Sequence, residues 1–231
     1  MSAEQLNQFI SELKKHEPKI AIAFKDESWL MKLIGKILFF NRGFMTQYIT
    51  TIGNTIYFPS RESMAANDLA AMLVMCHEFQ HIRDSKKLTF PLYAFIYLFP
   101  QILALLALLA IPLAFLVPWY YAIIPLVAVG FAAPIPAYGR MKIELRGYSM
   151  SLFALSEFLK GIGEDSAYIT GELSSRANIY DQYHFRGSGY YFMWPFGVRK
   201  ELGQVIEQIR TSGDISDETY RAVSSAIRKF N

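Results

Sequence analysis

The sequence predicts an α+β, mostly helical fold with a small β-hairpin or sheet and an inserted transmembrane helical hairpin. Apolar residues recur at helical spacing along most of the chain, and a short Thr-, Ile- and Tyr-rich region is divided by Gly-Asn. Residues 88–139 contain no Asp, Glu, Lys or Arg, although 19% of the 231 residues are charged. The rest of the chain has an ordinary globular composition. We therefore expect residues 1–87 and 140–231 to form one domain around this insert.

Two helices are predicted near the start of the chain. Residues 2–16 are amphipathic, and Pro18 ends this helix. Residues 29–40 place apolar side chains on one face and Lys32 and Lys36 on the other. Such a helix either lies in a membrane interface or packs on a domain core, and both interpretations stay open.

A β-hairpin and a long helix follow. Residues 47–51 and 55–58 are rich in Thr, Ile and Tyr, and Gly53 and Asn54 between them favour a tight turn with positive φ. A helix is predicted over residues 63–86. Beyond the uncharged stretch we expect a helix over residues 140–160, a polar loop region over 164–189, and two terminal helices, 198–210 and 215–229.

The uncharged stretch is long enough for two membrane spans, residues 92–117 and 119–138, because about 20 residues cross the hydrocarbon core. Basic residues flank it on both sides: Lys86, Lys87, Arg140 and Lys142. The positive-inside rule then predicts an integral protein of the cytoplasmic membrane, with the lipid bilayer as a partner and the domain facing the cytosol. Two alternatives stay open. The apolar hairpin is buried inside a soluble core, or a soluble or virion-carried form of the protein keeps the hairpin shielded until delivery.

Charge and cysteine content exclude some function classes. The net charge of +3 and the lack of a basic block argue against a nucleic-acid partner. One cysteine, Cys76, excludes an intramolecular disulfide framework, and we interpret it as a buried apolar side chain. The first 30 residues carry charges throughout and resemble no secretory signal, so we expect them to stay on the side of synthesis.

Residues 77–81 read His77-Glu78-Phe79-Gln80-His81, an H-E-x-x-H pattern within the predicted long helix. Positions i and i+4 share a helix face, so the two imidazoles are directed at one point. Glu78 lies about 100° further round the helix, where it can take a proton from water without binding the metal. This spacing predicts a metal site with Glu78 as general base.

A catalytic metal of this kind needs a third protein ligand. An even number of spans returns the chain to the side it left, so Glu144 is expected to lie near His77 and His81. Gly147 would allow the Glu144 helix to approach closely, and Tyr148 would direct its hydroxyl into the site. The other candidate carboxylates, with weaker placement, are Glu157, Glu164, Asp165 and Asp181.

The H-E-x-x-H motif, the apolar stretch and then Glu144-Leu145-Arg146-Gly147-Tyr148 together resemble the membrane gluzincin peptidases, the HtpX-like and CAAX-prenyl-protease-like enzymes. The resemblance covers roughly residues 48–155 and implies a zincin-like domain. It also implies a zinc endopeptidase in which His77, His81 and Glu144 bind Zn²⁺ and Glu78 acts as base.

One departure from the family pattern matters for the metal. Gly147-Tyr148 replaces the family's Ala-Asp ending, so an orienting partner for the metal ligands must come from elsewhere. A looser resemblance, through Arg83 and Asp84, is to sensor-type membrane peptidases that signal β-lactam exposure.

Further residues are weaker predictions. Asp84 either accepts an imidazole N–H or faces solvent at the helix end, and Tyr148 and His184 are candidates for stabilising the transition state. Thr55, Ile56 and Tyr57 form a candidate edge strand for an extended substrate, or an ordinary structural strand.

The expected function is hydrolysis of peptide bonds in a protein or peptide substrate, with an oligomeric state that the sequence leaves open. The alternative is a membrane scaffold or interaction protein that keeps a zincin fold without turnover.

Overall fold

The protein is described by a computed structural model that covers residues 1–39, 41, 43–104, 118, 121, 123–131, 133, 135–186, 193–211 and 217–230. Within this part of the chain the fold is mostly helical, with one small sheet. Helices and strands before the uncharged stretch are α1 (Ala3–His16), β1 (Ala21–Phe24), α2 (Trp29–Ile37), β2 (Thr50–Ile52), β3 (Thr55–Phe58), α3 (Arg61–Ala65) and α4 (Asp68–Leu88). Those that follow are α5 (Phe90–Leu98), a 3₁₀ turn (Gln101–Ala104), α6 (Ile123–Gly130), α7 (Tyr138–Gly161), α8 (Ser166–Ile179), a π-helical turn (Tyr180–Phe185), α9 (Val198–Thr211) and α10 (Glu218–Ile227).

The predicted hairpin is confirmed. Strands β2 and β3 pair antiparallel with Ile52 opposite Thr55, and Gly53 in the turn has φ +59°. That positive φ is easily adopted by glycine, which has no Cβ. Strand β1, which the sequence pattern did not reveal, pairs parallel with β3, so the strand order is β1-β3-β2.

Helix starts follow the capping residues. Ser2 and Gln5 form a capping box at α1, and the helix predicted over 2–16 is confirmed as Ala3–His16. The helix predicted over 63–86 is divided into α3 and α4. Asn67 is extended and its side chain accepts a hydrogen bond from the Ala70 N–H, so it ends one segment and caps the next.

The polar loop predicted over residues 164–189 is wrong for residues 166–185, which are helical. Asp165 caps α8 by accepting hydrogen bonds from two backbone N–H groups, and Ile169, Leu173 and Ala177 form a buried stripe at four-residue spacing. Residues 187–192, which include the end of the predicted loop, lie outside the described chain.

Helices α4 and α7 pack against each other through the middle of the core. Both are buried along most of their length, and α1, α8, α9 and α10 surround them. Cys76 is fully buried among these apolar side chains, and burial raises the pKa of its thiol. The Ser151 hydroxyl of α7 donates to the Leu73 carbonyl of α4 at 2.9 Å, which ties the two helices near the start of α4.

The predicted transmembrane hairpin is wrong. Among the residues that the structure describes, no helix has both the length and the apolar character needed to cross a bilayer. Helix α5 ends at Leu98 after nine residues, about 14 Å, and α6 has eight residues, whereas a span needs about 30 Å. The predicted integral membrane localisation and cytosolic orientation rested on this hairpin, so the structure does not support them either. Residues 105–117, 119–120, 122, 132 and 134 of the two predicted spans lie outside the described chain.

Helix α2 is only partly packed against the domain. Met31 is fully buried, while Trp29, Leu33 and Ile37, four residues apart, are exposed. The structure therefore supports packing of this helix on the domain core through one side. The other side leaves an apolar stripe exposed.

Lys25, directly after β1, is a fully buried cation. Its Nζ donates to the Phe44 carbonyl at 2.7 Å and lies 3.9 Å from the centre of the Phe44 ring. Burial lowers the pKa of this ammonium from 10.5 to about 8, an effect that the negative charge of Glu78 partly opposes.

This burial predicts a pH-dependent stability. Between pH 8 and 10.5 the unfolded chain still holds a proton that the folded chain has released, so the free energy of unfolding contributed by Lys25 rises with pH. Across that window the stability advantage of Lys25→Met over the wild type should shrink by about 3 kcal/mol. Urea unfolding at pH 7 and pH 11, on either side of the window, measures it.

The exposed Lys19→Met variant is the control, since its stability should follow the wild type at both pH values. Parallel pH curves for Lys25→Met and the wild type would contradict the assignment of a depressed pKa to Lys25.

Candidate metal centre

Two imidazoles of α4 meet at one point, as the i, i+4 spacing predicts. The Nε2 atoms of His77 and His81 are 2.8 Å apart, and the two rings lie nearly perpendicular with centres 4.5 Å apart. Both residues are 7% exposed. Two nitrogens at this distance share either a proton or a metal ion.

Glu144 of α7 completes the group. Its Oε2 lies 3.1 Å from His77 Nε2 and 3.6 Å from His81 Nε2, and the residue is 5% exposed. The triangle of these three atoms has a circumscribed radius of about 1.9 Å, slightly shorter than Zn–N and Zn–O bonds of about 2.0–2.1 Å. One ion can therefore contact all three atoms at once, and His77, His81 and Glu144 form a buried group that can bind a metal ion.

The charges of the three groups depend on one another. Burial alone would raise the pKa of Glu144, but the charge of His81 and the hydrogen bonds from both histidines outweigh it and hold the pKa well below its usual range. Burial opposes the charged form of His81, yet Glu144 raises the pKa of His81. The buried carboxylate is thus stabilised by positive charge at the Nε2 atoms, which a metal cation supplies when it replaces the proton.

Gly147 has the close approach that the sequence predicts. A Cβ at this position would lie 2.7 Å from Cε1 and Nδ1 of His77, so the imidazole occupies the space that a side chain on α7 would fill. Glycine at this position is therefore what lets the two ligand-bearing helices come together.

Tyr148 and His184 lie beside the centre. The Tyr148 ring packs on His77 with centres 4.5 Å apart, and the His184 ring lies 5.1 Å from Tyr148. Burial lowers the pKa of His184, and the positive charge of His77 lowers it further. Their expected role in transition-state stabilisation stays a prediction.

Glu78 lies outside the three-ligand group and is linked to the sheet. The Thr51 hydroxyl donates to Glu78 Oε2 at 2.7 Å, and Glu78 is 8% exposed. Thr51 belongs to β2, and sequence reasoning missed it. A hydroxyl two residues before the Gly53-Asn54 turn was the available signal.

The edge-strand prediction for Thr55, Ile56 and Tyr57 is wrong. These residues belong to β3, which pairs with β1 on one side and β2 on the other. The parallel pairing of β1 places β3 in the middle of the sheet, so the edge strand that contacts Glu78 is β2.

Asp84 has a different partner from the one predicted. It is buried, and both of its oxygens accept hydrogen bonds from the Arg146 guanidinium at 2.8 Å, while Gln80 donates to Oδ1. The Asp84 carboxylate is therefore paired with Arg146, and not with solvent or an imidazole as predicted. The reason is that Asp84 faces α7 one turn after His81. Along α4, this ion pair lies after the two histidines, whereas the Ser151 hydrogen bond to Leu73 lies before them. Helix α7 is therefore attached to α4 on both sides of His77 and His81.

Helix α5 contributes two tyrosines that the sequence analysis assigned to a membrane span. The Tyr97 hydroxyl donates to Glu144 Oε1 at 2.6 Å. The Tyr93 ring lies 6.4 Å from His81 and stacks 6.1 Å from Tyr97. Burial and the nearby carboxylates, Glu144 first, raise the pKa of Tyr93. The signal available was two hydroxyl-bearing side chains at i, i+4 inside an otherwise apolar segment.

Gly147→Ala should weaken binding of a divalent metal ion, because the new methyl group displaces the His77 imidazole or separates the two helices. Overpacking of this kind also lowers the free energy of unfolding by about 1–3 kcal/mol. Calorimetric titration with Zn²⁺ and urea unfolding measure the two effects. Gly171→Ala is the matched control, since a Cβ there meets nothing within 4 Å and should stabilise α8 slightly. Equal zinc affinity in Gly147→Ala and the wild type would contradict the close-approach argument.

Comparison of the chain with protein-family models, curated proteins and solved structures finds no match in any of the three. The gluzincin resemblance of residues 77–81 and Glu144 therefore stays an expectation, and the centre is characterised by its own geometry.

Proposed function

We propose that the protein is a zinc-dependent endopeptidase that hydrolyses peptide bonds with Glu78 as general base. The observation that carries this proposal is the convergence of His77, His81 and Glu144 on one buried point, with Glu78 next to His77 on the same helix. A structural metal site needs no such base, and structural zinc is usually enclosed by four protein ligands.

The donor set favours zinc among the common metals. Two imidazole nitrogens and one carboxylate oxygen leave a position open, as in catalytic zinc sites, whereas Ca²⁺ and Mg²⁺ prefer all-oxygen sites. Two histidines and a carboxylate also suit non-haem iron. The carboxylate of Glu78 beside the centre favours hydrolysis, because proton transfer from water is the step that such a base performs.

His77, His81 and Glu144 would hold the zinc ion, which would supply Lewis acidity to a water molecule and to a substrate carbonyl. Glu78 accepts the proton of the attacking water and delivers it to the leaving amine nitrogen. Thr51 orients Glu78 for this transfer by fixing one carboxylate oxygen at 2.7 Å.

Strand β2 offers a place for an extended peptide. It is an edge of the sheet, and Thr51 in its middle contacts Glu78. A peptide that hydrogen-bonds along this edge would pass beside the general base. A protein or peptide substrate in extended conformation fits that arrangement.

Zinc binding is the first test. The purified chain should bind about one Zn²⁺, and His77→Ala or His81→Ala should each lower the affinity strongly, because one of three ligands is lost. Elemental analysis and competition with a chelator measure stoichiometry and affinity. His16→Ala, a histidine on the exposed end of α1, is the control and should bind zinc as the wild type does. Iron in place of zinc, or no metal, would overturn the proposed metal.

Glu78→Gln should lower peptidase activity by about 10²–10⁴-fold while zinc stays bound, because only proton transfer is removed. Cleavage of unfolded casein or a peptide library, followed by mass spectrometry, measures activity. The matched change Glu164→Gln, in the exposed loop before α8, should leave activity unaltered. Chelator-sensitive activity equal in Glu78→Gln and the wild type would refute the role of Glu78. Zinc bound to both proteins without turnover in either would favour the non-catalytic scaffold.

A further inference from the structure

The third metal ligand has an orienting partner that no sequence motif identified. Glu144 has two carboxylate oxygens with different surroundings. Oε2 lies 3.1 and 3.6 Å from the histidine Nε2 atoms, whereas Oε1 accepts a hydrogen bond of 2.6 Å from the Tyr97 hydroxyl. One oxygen thus faces the metal position and the other is held by α5.

Helix α7 contacts Tyr97 through two residues, Arg140 and Glu144, that are one helical turn apart. The Arg140 Nε donates to the Tyr97 carbonyl at 3.0 Å, and the Arg140 guanidinium lies 5.0 Å from the centre of the Tyr97 ring. Glu144, four residues after Arg140, accepts a hydrogen bond from the Tyr97 hydroxyl. Residues at i and i+4 share one helix face, so the backbone and the side-chain end of Tyr97 are both fixed by the helix that carries the ligand.

The two helix backbones are also in close contact at this position. A Cβ at Gly139 would lie 2.7 Å from the Ile96 carbonyl oxygen, so α5 and α7 touch directly beside Tyr97. On its other side, the Tyr97 ring stacks on Tyr93. Such a packed tyrosine loses little further freedom when its hydroxyl donates to a carboxylate.

We propose that Tyr97 is the positioning residue for Glu144, and that its hydroxyl keeps Oε2 directed at the metal ion by holding Oε1 away from it. The inference rests on the proposed function only for the identity of the metal as zinc. Hydrogen bonds to the outer atoms of metal ligands commonly contribute 10–100-fold to metal affinity. Tyr97 therefore supplies the orienting hydrogen bond for Glu144.

The surroundings of the histidines increase the dependence on Glu144. The Nδ1 atom of His81 is buried, and no hydrogen-bond partner for it is present among the described residues. His81 is thus not oriented from its far side in the usual way. The Tyr97–Glu144 bond is a contact through which α5 orients one of the three ligands.

Tyr97→Phe should weaken zinc binding about 10–100-fold, because the phenyl ring keeps the packing and only the hydrogen bond to Oε1 is lost. Competition with a chelator measures the affinity, circular dichroism checks the fold, and the d–d absorption of the Co²⁺-loaded protein reports the change in carboxylate coordination. Tyr168→Phe removes the same hydroxyl from an exposed tyrosine of α8 and should leave both the zinc affinity and the Co²⁺ spectrum close to wild type.

A double-mutant cycle separates positioning from a general effect on stability. Glu144→Ala leaves a weaker two-histidine site, and adding Tyr97→Phe to it should not weaken zinc binding further, because Tyr97 acts through Glu144. Wild-type zinc affinity in Tyr97→Phe, an equal loss in Tyr168→Phe, or an additive loss in the double variant would each overturn the inference. Because affinity is measured without substrate, a failure of peptidase activity alone leaves the role of Tyr97 intact. A wild type that binds no zinc overturns both proposals.

Discussion

The contact between α4 and α7 at Gly147 is the constraint on which the candidate site depends. The imidazole of His77 fills the space of the missing side chain, so the helix that carries two ligands can reach the helix that carries the third. On one side of this point Ser151 bonds to the Leu73 carbonyl, and on the other Arg146 pairs with Asp84. A longer side chain at position 147 would disturb the Ser151 bond, the Arg146–Asp84 ion pair and the metal ligands together.

Buried charge explains why so many polar partners surround this contact. Glu78, Asp84 and Glu144 are all buried carboxylates, and each would be costly to bury as an ion without compensation. Arg146 compensates Asp84, while the positive charge of Lys25 acts on Glu78. Within the described part of the chain, the partners of Glu144 are the two histidines and the Tyr97 hydroxyl, and a bound cation would compensate the charge of this group.

Some parts of this arrangement follow from local sequence rules and others do not. The i, i+4 spacing placed His77 and His81, and Gly-Asn placed the hairpin, because both depend on neighbouring residues alone. The lack of charge in residues 88–139 does not predict the fold of this stretch, because it gives little weight to Tyr93 and Tyr97, whose hydroxyls need polar partners. It also gives no sign of the break between α5 and the 3₁₀ turn. Strand β1 and the central position of β3 depend on long-range pairing, which no periodicity reveals. Arg146 as the partner of Asp84 likewise follows only from the packing of α4 on α7.

The separation of the ligands along the chain has a further consequence. His77 and Glu144 are 67 residues apart in sequence but meet at 3.1 Å. An ion bound to both acts as a cross-link that closes a large loop, which restricts the unfolded chain much as a disulfide does. For a loop of this size the restriction corresponds to about 4 kcal/mol. In a chain with one cysteine, a bound metal ion would be the available form of cross-linking, and it would help to hold the fold together.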